Sequence, residues 1–265
     1  MMKFIKKFYL VIIFIFLYAP MVTLIVFSFN NTKCRAKWGG FTFKWYAGLF
    51  NDSSIIQALI NTLTIALLSS LIATLIGTIA ALAMNNMKKL SKNILMGVTN
   101  IPMLNAEIVT GISLMLLFIF FKYRFGYVTI LLAHITFNIP YVILSVAPRL
   151  KTLNPNIYEA ALDLGANPFK AFFKVVFPDI MPGILSGFLM CFTMSIDDFI
   201  ITHFTKGAGV DTLSTKIYAQ VKKGIDPKMY ALSTLIFVTV LVLLILVNYT
   251  PNKEKQRKLK GEKAK

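Results

Sequence analysis

The amino-acid sequence predicts an all-α polytopic membrane protein with six transmembrane helices. Residues of the AVILMFWYC set make up 57% of the 265-residue chain, only 15% are charged, and mean hydropathy is +0.70. Soluble domains run nearer to roughly 45–50% apolar and about 25% charged. The apolar excess is gathered into runs of roughly 20 residues, the length of helix that crosses a ~30 Å hydrocarbon core. These observations exclude a soluble enzyme and a secreted disulfide scaffold. Cys34 and Cys191 stand in different contexts and form no metal-binding or redox spacing.

The spans follow in order. The first covers about Phe8–Phe29, after Lys3, Lys6 and Lys7. It resembles a signal peptide, but the apolar run exceeds 20 residues and no Ala-x-Ala-like site follows, so it is read as an uncleaved span. The second covers about Asn61–Met84 and is closed by Lys88, Lys89 and Lys92. The third, about Ile94–Phe121, is interrupted by Pro102, Asn105 and Glu107. The fourth, about Tyr127–Ala147, contains Asn138 and Pro140. The fifth is about Ile180–Phe204 and the sixth about Tyr230–Tyr249.

Charge sets the orientation. The chain holds 28 Lys and Arg against 11 Asp and Glu, a net +17. With the N-terminus inside, 17 of the basic residues fall on inner segments and 11 on outer ones. This bias supports both termini in the cytoplasm. Seven inner basic residues lie in the tail after Pro251. Following a membrane span, they fit anionic lipid headgroups better than nucleic acid.

The stretch from Arg149 to about Asp179 reads as two short helices with a sharp corner. Asn154 precedes Pro155, and Asn167 precedes Pro168, both in cap-then-proline order. Ile157, Tyr158, Ala160, Ala161 and Leu164 form an apolar stripe on the first helix. Gly165 suits a left-handed helix end. Phe169, Phe172, Phe173 and Val176 line the second helix, and Pro178 is expected to close it. Such a pair is a docking element for a partner protein, or an ordinary loop resting on lipid.

The run Glu159-Ala160-Ala161-x3-Gly165-x9-Val175-x-Phe177-Pro178 resembles the EAA loop of bacterial ABC importer permeases, EAA-x3-G-x9-I-x-L-P. Val175 and Phe177 replace the usual Ile and Leu with other apolar residues. The resemblance extends to Trp38-Gly39-Gly40-Phe41-Thr42-Phe43-Lys44-Trp45-Tyr46, to His134-Ile135-Thr136-Phe137-Asn138-Ile139-Pro140, to Met194-Ser195-Ile196-Asp197-Asp198-Phe199 and to Lys216-Ile217-Tyr218. Over about residues 8–250 the chain is similar to the spermidine/putrescine permeases of the PotC type.

That resemblance implies a type I ABC importer (MetI-like) permease fold in a bacterial inner or plasma membrane. It implies an N-terminal span and external segment over 1–55, a permease core over 56–250 with a coupling loop at 154–178, and a basic cytoplasmic tail over 251–265. Implied partners are a second, PotB-type permease subunit, two ATPase subunits seated on Glu159, Ala160, Ala161, Gly165 and Pro178, and an extracytoplasmic polyamine-binding protein. The implied function is ATP-driven polyamine import by alternating access, with no cofactor and no metal in this chain. The chain has no G-x4-GK[ST], so ATP hydrolysis belongs to a partner and this subunit is not an enzyme.

The acidic residues point the same way without the family. Glu107, Asp197 and Asp198 lie within or beside apolar spans, where a carboxylate costs about 2.5–3.5 kcal/mol on insertion scales. Each is expected to face a cavity, a cation or a partner. Asp197 and Asp198 stand about 100° apart on a helix and cannot point the same way. Ser195 and Asp198, and Asp198 and Thr202, have face-sharing spacings. A polyamine would relieve repulsion between the aspartates. The other reading pairs them with a nearby Lys or His203, or sets them at the water interface. Glu107, after Pro102 and Asn105, suggests a local unwinding of span three along a water-filled path. Its carboxylate stands where the resembling permeases carry Asp. Trp45 is either a cation–π contact for an ammonium group or an interfacial anchor beside Tyr46. His134 and His203 lack an acid–base constellation and read as satisfied span residues, and Gly183-x3-Gly187 permits close helix contact.

Other functions fit less well. An anion permease of the same family would present basic groups inside the spans, where this chain offers carboxylates. A proton-coupled secondary transporter predicts an inverted repeat, which the sequence does not show. A membrane enzyme lacks a catalytic constellation.

Overall fold

The computed structural model describes the backbone of residues 2–32, 37–223 and 227–249. The basic tail after Pro251, and with it Lys33, Cys34 and Arg35, lies outside the described residues. The helices are α1 (Met2–Ser28), α2 (Lys44–Phe50), α3 (Ser53–Asn85), α4 (Lys89–Leu104), α5 (Glu107–Phe120), α6 (Tyr127–Thr152), α7 (Pro155–Asp163), α8 (Pro168–Ala171), α9 (Phe177–Asp197), α10 (Ile200–Thr205), α11 (Leu213–Lys223) and α12 (Pro227–Tyr249). A π-helical turn, Phe172–Val176, joins α8 to α9.

Among the described residues, four helical stretches are long and apolar enough to cross a membrane: Phe8–Ser28, Ser53–Asn85, Tyr127–Thr152 and Pro168–Asp197. A fifth span is met only by taking α4 and α5 together, and these are bent by 104° at their junction. The sixth expected span corresponds to α12, of which Pro227–Val242 registers as a shorter apolar helix.

The chain divides into two compact units, residues 1–53 with 219–265, and residues 54–218. In the first, α1 and α2 both pack on α12. At 27 residues α1 is about 40 Å long. The turn beyond it is organised by Asn30. Its Oδ1 accepts from Gly39 N at 2.8 Å, and Asn30 pairs with Phe41 in an isolated β-bridge.

In the second unit α6 and α9 form the central pair. Gly183 and Gly187 make their approach close. A Cβ on Gly183 would lie 3.0 Å from the Ser145 carbonyl, and one on Gly187 would lie 3.3 Å from Val142 Cα. The Ser145 hydroxyl donates to the Gly183 carbonyl at 2.9 Å, a direct helix-to-helix bond. Small residues in this register give helices van der Waals contact that lipid cannot supply. α3 meets α6 through Gly77, where a Cβ would fall 2.7 Å from Val142 Cβ. Val142, Val146 and Ile180 are fully buried in the resulting core.

Two spans are broken. Between α4 and α5, Asn105 and Ala106 are extended, with ψ of 149° and 135°. Pro102 has no N–H for the Val98 carbonyl, and Asn105 is a weak helix former. Span five, expected to be continuous through Phe204, instead stops at Asp197. Asp198 turns to ψ 126° before α10 restarts the chain against α5 and α6.

Candidate functional site

The two aspartates at the second break have opposite environments. Asp197, the last residue of α9, is exposed. Asp198 has a side chain only 6% exposed. Its Oδ2 accepts from Thr202 N at 2.8 Å and from the Thr202 hydroxyl at 2.7 Å, and its Oδ1 accepts from Ile201 N at 3.2 Å. These are first-turn donors of α10 that have no intrahelical acceptor. His134 Nε2 on α6 stands 2.9 Å from Thr202 Oγ1 and 3.3 Å from Asp198 Oδ2. The Thr202 hydroxyl spends its proton on the carboxylate, so Nε2 must carry the proton of the next bond. The face-sharing expected of Asp198 and Thr202 is thus present. The partner expected from the sequence, His203 or a lysine, is replaced by His134, 64 positions upstream. A buried carboxylate seeks donors in space, and α6 supplies one.

Ser195 does not join Asp198 on one face, because the helix that would align them ends between the two. Ser195 is buried and accepts from Asn138 Nδ2 at 2.8 Å, with Ser69 Oγ at 3.2 Å. It ties α9 to α6 and α3. Asn138 is a residue that sequence reasoning left without a role, and the joining of His134 to the Asp198–Thr202 pair was not anticipated. The only available signal was that buried polar groups in lipid require partners.

Glu107 opens α5 and is exposed. Its carboxylate makes no hydrogen bond or ion pair among the described residues. The positive end of α5 favours the charge. Trp45 is buried in the other unit. Its Nε1 donates to the Asn30 carbonyl at 2.7 Å, and the Lys44 ammonium lies 5.9 Å from its ring centroid. Tyr46 bonds Ser28 at 2.7 Å.

The polar loop takes the expected form up to its end. Asn154 Oδ1 accepts from Asn156 N and Asn167 Oδ1 from Phe169 N, each at 3.1 Å. Gly165 sits at φ +80°. Pro178 does not close the second helix. The π-helical turn shifts the bonding, with Phe177 N donating to Phe172 O, and the chain runs straight into α9. Pro178 has no N–H to donate, and the chain passes through it just after this shift of register. Glu159 and Ala160 are exposed on α7, Ala161 is half-buried, and Leu164 and Phe169 stand 89% and 73% exposed beside them. Behind α7 lies a cavity of about 580 Å³ lined by Asn85, Asn86, Lys151, Tyr158, Glu159 and Asp179, among others. No cluster of His, Cys, Asp and Glu suited to a metal ion occurs among the described residues.

Residues 73–251 match the family described as "Binding-protein-dependent transport system inner membrane component". The chain is 37% identical over 233 residues to the spermidine/putrescine transport system permease protein PotC of Escherichia coli (strain K12), covering 88% of each. It is 38% identical over 252 residues to the putrescine transport system permease protein PotI of the same organism, covering 92% of this chain and 90% of that one. Among solved structures it resembles a chain of a bacterial ABC transporter that imports alginate, with a TM-score of 0.74, 19% identity and 94% of both chains covered. It also resembles a chain of the MetNI methionine ABC transporter, with a TM-score of 0.61, 15% identity, and 78% and 96% covered.

Proposed function

We propose that this chain, which belongs to the binding-protein-dependent transport system inner membrane component family, is the permease subunit of an ATP-driven importer of polyamines. The observation that carries the reading is a pair of exposed carboxylates at two breaks in the spans. Glu107 begins one helix and Asp197 ends another. No Lys or Arg lies within seven residues of either in the sequence. An alkyl chain bearing ammonium groups is the solute that such a lining attracts, because each ammonium offsets the cost of holding a carboxylate at membrane depth. Kinship with permeases named for spermidine and putrescine supports the same solute.

In this mechanism both termini are cytoplasmic, and the loaded binding protein docks on the opposite side of the membrane. A second, PotB-type permease chain completes the path. Two ATPase subunits seat on the exposed face of Glu159, Ala160, Leu164 and Phe169, with Gly165 and Ala161 shaping the corner. The unbroken run from Pro168 through Pro178 to Asp197 carries their motion, as one lever, to the second break. Glu107 and Asp197 pass the ammonium groups. Asp198 and Ser195 hold the helices that present them, and Trp45 fixes the segment after α1.

The test is uptake of radiolabelled putrescine and spermidine by the complete complex in proteoliposomes. Asp197→Asn is expected to lower uptake about tenfold, the equivalent of about 1.4 kcal/mol, with assembly unchanged. Unchanged uptake would remove Asp197 from the path.

A further inference from the structure

The second break carries three aromatic side chains that the mechanism above leaves unused. The Phe199 and Tyr218 rings lie 4.4 Å apart, Phe199 and His203 lie 5.2 Å apart at an interplanar angle of 28°, and His203 and Tyr218 lie 5.9 Å apart. Each ring touches the other two, so the three form a closed cluster. Rings gathered only for packing would be covered, yet His203 and Tyr218 are exposed and Phe199 is half-buried.

The cluster stands beside Asp197. Phe199 follows it by two residues, and His203 lies one turn further along α10. From the other direction, the Ser214 hydroxyl donates to the Asp197 carbonyl at 3.3 Å, and Tyr218 is one helical turn beyond Ser214 on α11. The chain on both sides thus brings exposed ring faces to the end of α9, where a carboxylate is also exposed. An aromatic face attracts a cation within about 6 Å of its centroid through its quadrupole, and the attraction grows where water is scarce. A carboxylate next to such faces supplies the net charge that rings lack.

Building on the polyamine reading, we infer that Phe199, His203 and Tyr218 form an aromatic receptor for the alkylammonium end of the transported solute, with Asp197 as its counter-ion. The rings confer selectivity for organic ammonium over small inorganic cations, whose tightly held hydration shells suit a carboxylate alone.

The test uses the complete complex, with its binding protein, in proteoliposomes containing an ATPase assay. A Phe199→Leu, Tyr218→Leu double variant is expected to lower putrescine uptake about tenfold, with binding-protein-stimulated ATPase activity within about twofold of wild type. Tyr218→Phe keeps the ring and is expected to keep uptake within about twofold. Tetramethylammonium should compete with uptake by the wild type better than sodium does. Wild-type uptake in the double variant, or ATPase activity falling in proportion to uptake, overturns the receptor. A wild-type complex that imports no polyamine overturns the proposed function and the receptor with it. Polyamine import that survives loss of the rings overturns the receptor alone.

Discussion

The breaks at Asn105–Ala106 and at Asp198–Phe199 interrupt two spans in similar ways, yet treat their acids differently. At the first, Glu107 sits in the opening turn of α5 and bonds to no described residue. At the second, Asp198 is enclosed by two backbone N–H groups, a hydroxyl and a histidine. Irregular backbone at membrane depth leaves orphan donors that lipid cannot satisfy. The second break spends a carboxylate on them and holds its shape by that means. The first leaves its carboxylate for something else. Asp197, one residue before Asp198, belongs with Glu107, so an acidic pair adjacent in sequence splits into one structural group and one available group.

Removing each acid in turn is the direct way to break this contrast. The largest effect is expected at the enclosed one. Asp198→Ala deletes the acceptor of three hydrogen bonds and strands a buried histidine, and it should cost about 3 kcal/mol of stability. A thermal-denaturation scan of the purified complex would register this as a fall in Tm, with uptake lost as assembly is lost. A normal Tm with uptake abolished would make Asp198 a path residue and erase the distinction. The next effect is of a different kind. Glu107→Gln should lower polyamine uptake about tenfold, or about 1.4 kcal/mol, and leave Tm unmoved. If Tm falls instead, the first break is also held by its acid.

What was legible in the sequence depends on the range of the interaction responsible. The corner at Gly165 and the caps at Asn154 and Asn167 were legible because each bond closes within five residues. The first break could be read from Pro102 and Asn105 for the same reason. The second could not. Its cause is a carboxylate that prefers α10 and His134 to the helix it would otherwise continue, and His134 lies on another span. Pro178 misled in the opposite sense. A proline in sequence reads as a stop, but five residues of π-helix before it rearrange the bonding so that the helix passes through. Ser195 was identified as a polar residue of interest, while its bonds to Asn138 and Ser69 depend on how close α3, α6 and α9 come. That proximity is set by Gly77, Gly183 and Gly187, of which spacing alone flagged the last two.

The smallest effect tests how the enclosed site shares its load. Thr202 gives Asp198 both its N–H and its hydroxyl, and its Oγ1 is also the nearest partner of His134. Thr202→Val keeps the shape and the backbone donor and removes the hydroxyl alone. Asp198 then retains two N–H donors and lies within reach of His134 at 3.3 Å, so the histidine can turn its proton directly to the carboxylate. The expected cost is about 1 kcal/mol, measured as a small fall in Tm with uptake preserved. A loss as large as that of Asp198→Ala would mean that the hydroxyl, rather than the backbone cap, holds the break open. His134 would then be joined to Asp198 only through Thr202, and the difference between the two breaks would rest on one threonine.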